Sequence, residues 1–304
     1  MHAKETHMKV RTRWGMLLCL AAGCSSTAGG SGTAKIFVVA EASIPDGLDP
    51  GTGDENIKDG WAIRYQRFLV ALGNVKASRT VAPGEVLTDP TVFVLDLRNA
   101  PTDGYVLRDF KDVAAARWDK VSFDIPNARP GAKRLPPTTQ ADLDFMTSKG
   151  YSVYFEGTAE KGAKKLSFKW GFRAGTTFAD CASPENLPGF AVPAGGTIAV
   201  KPTIHGDHHF FTNVTQGAEI TERRAAWLEI CDKDKNLDVT LDELKACAAA
   251  EAFPQKPTGP YDITGVKDQD GDGKITAYDY VDTQLRTLGD YQGDGECPTR
   301  TTAP

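Results

Sequence analysis

Tyr151-Ser-Val-Tyr-Phe-Glu-Gly-Thr-Ala-Glu-Lys-Gly-Ala-Lys-Lys-Leu-Ser-Phe-Lys-Trp170 carries the pattern from which the fold is read. Ser152-Val-Tyr-Phe-Glu-Gly157 and Leu166-Ser-Phe-Lys-Trp170 each alternate sides, as half-buried strands do, and Glu160-Lys-Gly-Ala163 supplies turn chemistry between them. The segment therefore predicts a β-hairpin. Outward from it, Ile36-Phe-Val-Val-Ala40, Val92-Phe-Val-Leu-Asp-Leu97 and Val121-Ser-Phe-Asp-Ile125 are similar runs of β-branched and aromatic residues. Pro45-Asp-Gly47 and Asn127-Ala-Arg-Pro-Gly131 punctuate them. Short strands at irregular spacing predict a β-sandwich-like domain over residues 35–219, with one helix near Gln140–Met146.

After Ile220 the texture changes. Thr221–Ile230 reads as a helix with Thr221 as its cap, and Leu241–Glu251 as a second, rich in strong helix formers. Pro254-Gln-Lys-Pro-Thr-Gly-Pro260 breaks the pattern before a last helix at Ala277–Leu285. The predicted fold class is thus β plus α, a β-sandwich-like domain followed by a small helical module at 220–304. From Ile220 onward acidic residues outnumber basic ones 17 to 10, a local net of -7 that exceeds the whole chain's formal -5. A cluster of that kind needs cations, and the overall balance excludes nucleic acid as a partner.

Two segments supply the carboxylates: Asp232-Lys-Asp-Lys-Asn-Leu-Asp-Val-Thr-Leu-Asp-Glu243 and Asp268-Gln-Asp-Gly-Asp-Gly-Lys-Ile-Thr-Ala-Tyr-Asp279. Both resemble the twelve-residue EF-hand loop, in which Ca²⁺ takes hard oxygens from positions 1, 3, 5, 7, 9 and 12. The resemblance implies a calcium-binding EF-hand pair. Its first site would use Asp232, Asp234, Asn236, the Asp238 carbonyl, Thr240 through water, and bidentate Glu243. Its second would use Asp268, Asp270, Asp272, the Lys274 carbonyl, Thr276 and Asp279. Val239 and Ile275 fall at position eight, where paired EF-hands form a short β-bridge. Each loop departs once from the pattern. Leu237 stands where Gly is wanted for a positive φ, at a cost of about 1 kcal/mol. Asp279 stands where the longer Glu is usual, which predicts weak affinity, on the order of 10⁻⁴ M.

At the other end, Met8-Lys-Val-Arg-Thr-Arg13 and Trp14–Gly23 form a basic region and a short apolar run, the pattern of an export signal. Leu20-Ala-Ala-Gly-Cys24 resembles the lipobox of bacterial lipoproteins. That resemblance implies a signal peptide at 1–23 and palmitate-type acylation of Cys24. It further implies a flexible tether at 24–34 and a lipid-anchored envelope protein, with Ser25 fitting outer-membrane sorting. Four cysteines remain for an oxidising compartment, with three ways to pair. In an EF-hand the helices flanking the loop approach one another at Cys231 and Cys247, so the expected bridges are Cys231–Cys247 and Cys181–Cys297.

Thr203-Ile-His-Gly-Asp-His-His-Phe-Phe211 holds His205, Asp207, His208 and His209, residue types suited to Zn²⁺ or Cu²⁺. On a straight strand His205, Asp207 and His209 share a face opposite His208, but positions i and i+4 are roughly 13 Å apart, so a shared ion requires a bend at Gly206. This segment, with Trp61-Ala-Ile-Arg-Tyr-Gln-Arg-Phe-Leu-Val-Ala-Leu72, resembles four-cysteine periplasmic lipoproteins associated with copper. Gly-x-Ser-x-Gly, His-Glu-x-x-His, phosphate-binding glycine loops and Cys-x-x-Cys are all missing from the sequence. The expected function is a non-catalytic, calcium-binding envelope lipoprotein with a protein or glycan partner the sequence does not specify. The alternative is a copper or zinc carrier built on the histidines.

Overall fold

The computed structural model describes residues 29–214 and 221–301. The signal segment and Cys24 lie outside the described residues. Strands run in the order β1 (Ser31–Ala40), β2 (Ala62–Arg79), β3 (Ala82–Asp96), β4 (Tyr105–Ala114), β5 (Arg117–Trp118), β6 (Lys120–Ile125), β7 (Lys133–Arg134) and β8 (Val153–Lys161). They continue with β9 (Lys164–Phe172), β10 (Thr176–Ala179), β11 (Phe190–Ala191), β12 (Thr197–Val200), β13 (Pro202–Ile204), β14 (Asp238–Val239), β15 (Gly289–Tyr291) and β16 (Thr299–Thr301). The helices are α1 (Gln140–Lys149), α2 (Trp227–Cys231), α3 (Leu241–Ala246), α4 (Ala249–Ala252) and α5 (Ala277–Leu285).

The predicted hairpin is β8–β9, in unbroken antiparallel register from Val153↔Phe172 to Lys161↔Lys164. Beside it lies β2, long enough to pair with β8 along its first half and with β6 along its second, while β3 runs against its other edge. Alternate residues of β2 serve two cores. Phe68, Val70 and Leu72 join the main cluster with Ile36 and Val38 of β1, while Leu69 and Ala71 pack with Met146 of α1. In the second sheet β1 pairs in parallel with β12 and β13 and antiparallel with β4, and β13 pairs with β15. β1 begins at Ser31, so the last residues assigned to a tether belong to a strand.

The two-part division does not survive. The chain is mostly β, 43% strand against 15% helix, and among the described residues no separate helical module follows the sheets. One hydrophobic cluster runs from Ala34 to Cys297. The C-terminal segment contributes strands to both sheets: β14 pairs with β9, β15 with β13, and β16 with β10. Only α5 matches its predicted span. Thr221 caps nothing, because Arg223 is extended and bridges Ile57 and Phe211. Instead Asp59 Oδ2 accepts the amides of Ala225 and Ala226 at 2.9 and 2.8 Å, just ahead of the short α2. The second predicted helix splits into α3 and α4 at Cys247–Ala248, where Ala248 bridges Thr276. No helix leads into residue 268. Both expected disulfides are present, with Cα–Cα distances of 5.4 Å for Cys231–Cys247 and 4.2 Å for Cys181–Cys297.

Thr139 and Asp142 form a capping box on α1, and Gly150 ends the helix at φ 64°. Arg67 Nη2 reaches Asp142 Oδ1 at 2.5 Å, and its guanidinium lies over the Phe145 and Tyr154 rings. Burial pushes the Asp142 carboxyl up, but Thr139 and Arg67 outweigh it and hold Asp142 below the usual carboxylate range. A carboxyl held low stabilises the fold above its unfolded pKa and loses that contribution as pH falls through its folded pKa. Asp142→Asn is therefore expected to cost about 1–2 kcal/mol at neutral pH. Denaturant titrations at stepped pH should show the gap from wild type closing below about pH 4; a gap independent of pH would contradict this role.

Candidate metal centres

The two acidic segments fold into the same loop although their sequences and surroundings differ. Position four is left-handed in both, Lys235 at φ 61° and Gly271 at φ 79°. So is position six, Leu237 at φ 70° and Gly273 at φ 82°. The hydrogen bonds also correspond. The position-six amide donates to the position-one carboxylate, Leu237 to Asp232 at 3.3 Å and Gly273 to Asp268 at 2.8 Å. The position-seven amide donates to position five, Asp238 to Asn236 at 2.7 Å and Lys274 to Asp272 at 2.8 Å. Position twelve closes each ring on the position-two amide, Glu243 accepting from Lys233 at 2.9 Å and Asp279 from Gln269 at 2.7 Å. The same carboxylates form capping boxes with Thr240 and Thr276, which start α3 and α5.

Asp232, Asp234 and Glu243 bring one oxygen each within 4.8 Å of one another, and so do Asp268, Asp270 and Asp272. In the first loop Asp232 is buried, and its Oδ1 has no hydrogen-bond partner. Burial pushes Glu243 up, but hydrogen bonds from Thr240 and the Asp234 and Lys233 amides hold it below the usual carboxylate range. Amide hydrogen bonds, led by that of Gly273, do the same for Asp268. The second loop is closed by the shorter Asp279 and already carries a cation, Lys245 Nζ lying 2.8 Å from Asp270 Oδ2.

The expected bridge between Val239 and Ile275 does not form. Asp238 and Val239 instead pair in parallel with Ser167 and Phe168 of β9, and Trp170 Nε1 donates to the Val239 carbonyl at 2.7 Å. Ile275 is exposed, and the second loop instead touches the α3–α4 junction, where the Ile275 carbonyl accepts from Ala249 and Ala277 donates to the Cys247 carbonyl. The sheet offers the first loop a free strand edge and an indole donor, a stronger lure than a two-residue bridge.

The histidines also depart from expectation. β13 ends at Ile204, the chain bends at Gly206, and residues 208–210 form a turn of 3₁₀ helix. A Cβ at Gly206 would lie 2.6 Å from Ile44 Cγ1, so the bend admits only glycine without a shift of its neighbours. His209 swings into the core, its Nε2 2.8 Å from the Tyr65 hydroxyl and its ring stacked on Phe155. It shares no site with His205. Asp207 turns to Arg223, with 2.5 Å between Oδ2 and Nε. His205 and His208, expected on opposite faces, come together with ring centroids 5.0 Å apart. Burial drives His208 and His209 down to about 3, so both imidazoles are neutral at physiological pH.

Asp290, in β15 just after the last helix, joins the histidines. The β13–β15 ladder sets Thr203 opposite Asp290, and His205 donates its amide to Leu288. His205 Nε2 thus lies 3.2 Å from Asp290 Oδ2. Burial pushes the Asp290 carboxyl up to about 7 against the opposing pull of His205. His205, His208 and Asp290 line a cavity of about 620 Å³, with Glu41, Arg223 and Thr287 also on its wall. No protein-family model, curated protein or solved structure matches the chain.

Leu237 tests whether the loop shape is imposed on an unwilling residue. Its side chain is 47% exposed, so substitution removes little core. Leu237→Gly should raise stability by up to about 1 kcal/mol, the left-handed penalty less the entropy of a glycine in the unfolded chain. Leu237→Val, whose β-branch tolerates positive φ worse, should lower it. Chemical denaturation of the pair gives the comparison, and equal stabilities would show that the residue is unstrained.

Proposed function

We propose that this chain is a calcium-binding lipoprotein of a bacterial cell envelope, in which Ca²⁺ fastens the acidic C-terminal segment onto the sheets. The observation that carries this reading is the shared architecture of the two loops. Two unlike sequences adopt the same left-handed positions, one of them requiring a leucine at φ 70°, and both converge the carboxylates of positions one and three with a third. The buried, unpartnered oxygen of Asp232 supports it independently, since such an atom costs about 1–3 kcal/mol unless something binds it. An all-oxygen, carboxylate-rich donor set suits a hard cation. The disulfides across the first loop and from β10's exit to the tail favour a fixed structural role over an opening switch. They also fit the exported setting that the lipobox-like segment and Cys24 imply. Partner binding, to protein or glycan, would fall to the exposed surface that calcium holds in place.

The test is calorimetric titration of Ca²⁺ into the chelator-treated full chain in detergent, paired with thermal unfolding. Two sites are expected, the first loop the tighter because the second must displace Lys245 and closes with Asp279. Asp232→Ala should remove the tighter site and Asp268→Ala the weaker, and Ca²⁺ should raise the melting temperature. Failure to detect binding or a melting shift at several millimolar Ca²⁺ would overturn the proposal.

A further inference from the structure

Beyond the calcium loops, the geometry points to a separate site for a borderline divalent transition metal, such as Zn²⁺ or Cu²⁺, held by His205, His208 and Asp290 and open to the adjoining cavity.

Four observations carry it. First, each of the three offers a donor atom within 4.8 Å of the other two, and all three side chains are nearly buried. Second, the free nitrogen of His208 is assigned by its neighbour. Its Nδ1 lies 2.9 Å from the Thr287 hydroxyl, and that hydroxyl donates its own hydrogen to the Gln284 carbonyl at 2.8 Å. The hydroxyl must then accept from Nδ1–H, which leaves the lone pair on Nε2. A metal-bound imidazole is held by this kind of outer partner. Third, His205 Nε2 is buried and lacks any hydrogen-bond partner, although Asp290 Oδ2 is only 3.2 Å away. The pair has contact distance without hydrogen-bond geometry. Two ligands bound at roughly 2.0–2.1 Å to a tetrahedral ion stand about 3.3 Å apart, which matches this spacing. Fourth, the opposite nitrogen of His205 faces Asp207, whose Oδ1 is 3.9 Å from Nδ1 and is itself buried without a partner. A buried carboxylate oxygen thus stands beside His205, with Arg223 neutralising the other oxygen of Asp207.

Two imidazoles and one carboxylate are too soft and too nitrogen-rich for Ca²⁺, and suit a first-row divalent ion. Three protein ligands leave a coordination position free, as open metal sites do and closed structural ones do not. The cavity beside them is large enough for a small organic or anionic ligand to complete the shell. The two metal chemistries of the chain are thus separated by ligand hardness.

The full chain, purified in detergent and stripped with chelator, is loaded with one equivalent of Cu²⁺ in excess Ca²⁺. Electron paramagnetic resonance should show superhyperfine coupling to two imidazole nitrogens. This readout needs no variant. None, one, or three or more coupled nitrogens would overturn the assignment. Separately, Zn²⁺ competition against a chromophoric chelator should show at least about tenfold weaker binding in both His208→Gln and Asp290→Asn. Zn²⁺ affinity unchanged in either ligand variant would likewise refute the site.

Discussion

A seam of aromatic rings holds this molecule together. Phe155 packs against Trp170 at 5.6 Å between centroids, Trp170 against Trp227 at 5.8 Å, Trp227 against Phe253 at 5.6 Å, and Phe253 stacks on Tyr280 at 3.9 Å. The line starts in the middle of the larger sheet and ends on α5. Aromatic side chains bring the largest apolar area per residue, so a segment that brings three of them to the seam is anchored to the sheet core more firmly than its few short helices could anchor one another. The helices are five, six, four and nine residues long, too short to be stable alone. Their apolar faces are satisfied only by the sheet, which is why one core replaces the two the composition suggested.

That attachment decides where the functional groups sit. The Trp170 indole and the edge of β9 capture Asp238 and Val239, which fixes the first acidic loop by its seventh and eighth positions. Tyr280 and Gln284 of α5 bond the carbonyls of Phe211 and Asn213, so the last helix leans on the histidine segment. The chain leaving α5 then runs directly into β15 beside β13. Asp290 therefore reaches His205 as a consequence of α5 having docked. The seam and the histidine site also meet physically, since His209 stacks on Phe155 at its first ring. His209 belongs to the scaffold, and its neighbours one and four residues back belong to the site.

What was legible in the sequence was local. Strand-like runs of β-branched and aromatic residues located β1, β3, β6, β8 and β9, and helix formers located α1 and α5. The bounds of the acidic loops and the left-handed turn at Leu237 were legible, because their geometry is set by twelve contiguous residues. Pairing over long separations was not. Nothing near Val239 announces that it will meet Phe168 in place of Ile275, and nothing near Asp290 announces His205. The stretch from Thr221 to Ala226 has helical propensity, yet it lies extended because Arg223 finds Asp207, Glu55 and the Asp54 carbonyl there. Ion pairs and sheet edges outweighed a preference worth only tenths of a kcal/mol per residue.

The same reasoning explains why the histidine cluster misleads when read as a linear motif. Three histidines within five residues suggest one site, but the bend at Gly206 and the 3₁₀ turn after it send successive side chains to different places. His205 and His208 come to face one another because the bend at Gly206 turns the chain between the end of β13 and the 3₁₀ turn that begins at His208. The third ligand then has to come from elsewhere in the chain, and the strand that returns after α5 brings it. A metal centre assembled from β13, the turn beyond it and β15 depends on the C-terminal segment being docked. Loosening that segment, by removing what holds the acidic loops closed, would move Asp290 away from the imidazoles. The oxygen-rich loops and the nitrogen-rich cluster, distinct in ligand chemistry, are in this sense mechanically one system.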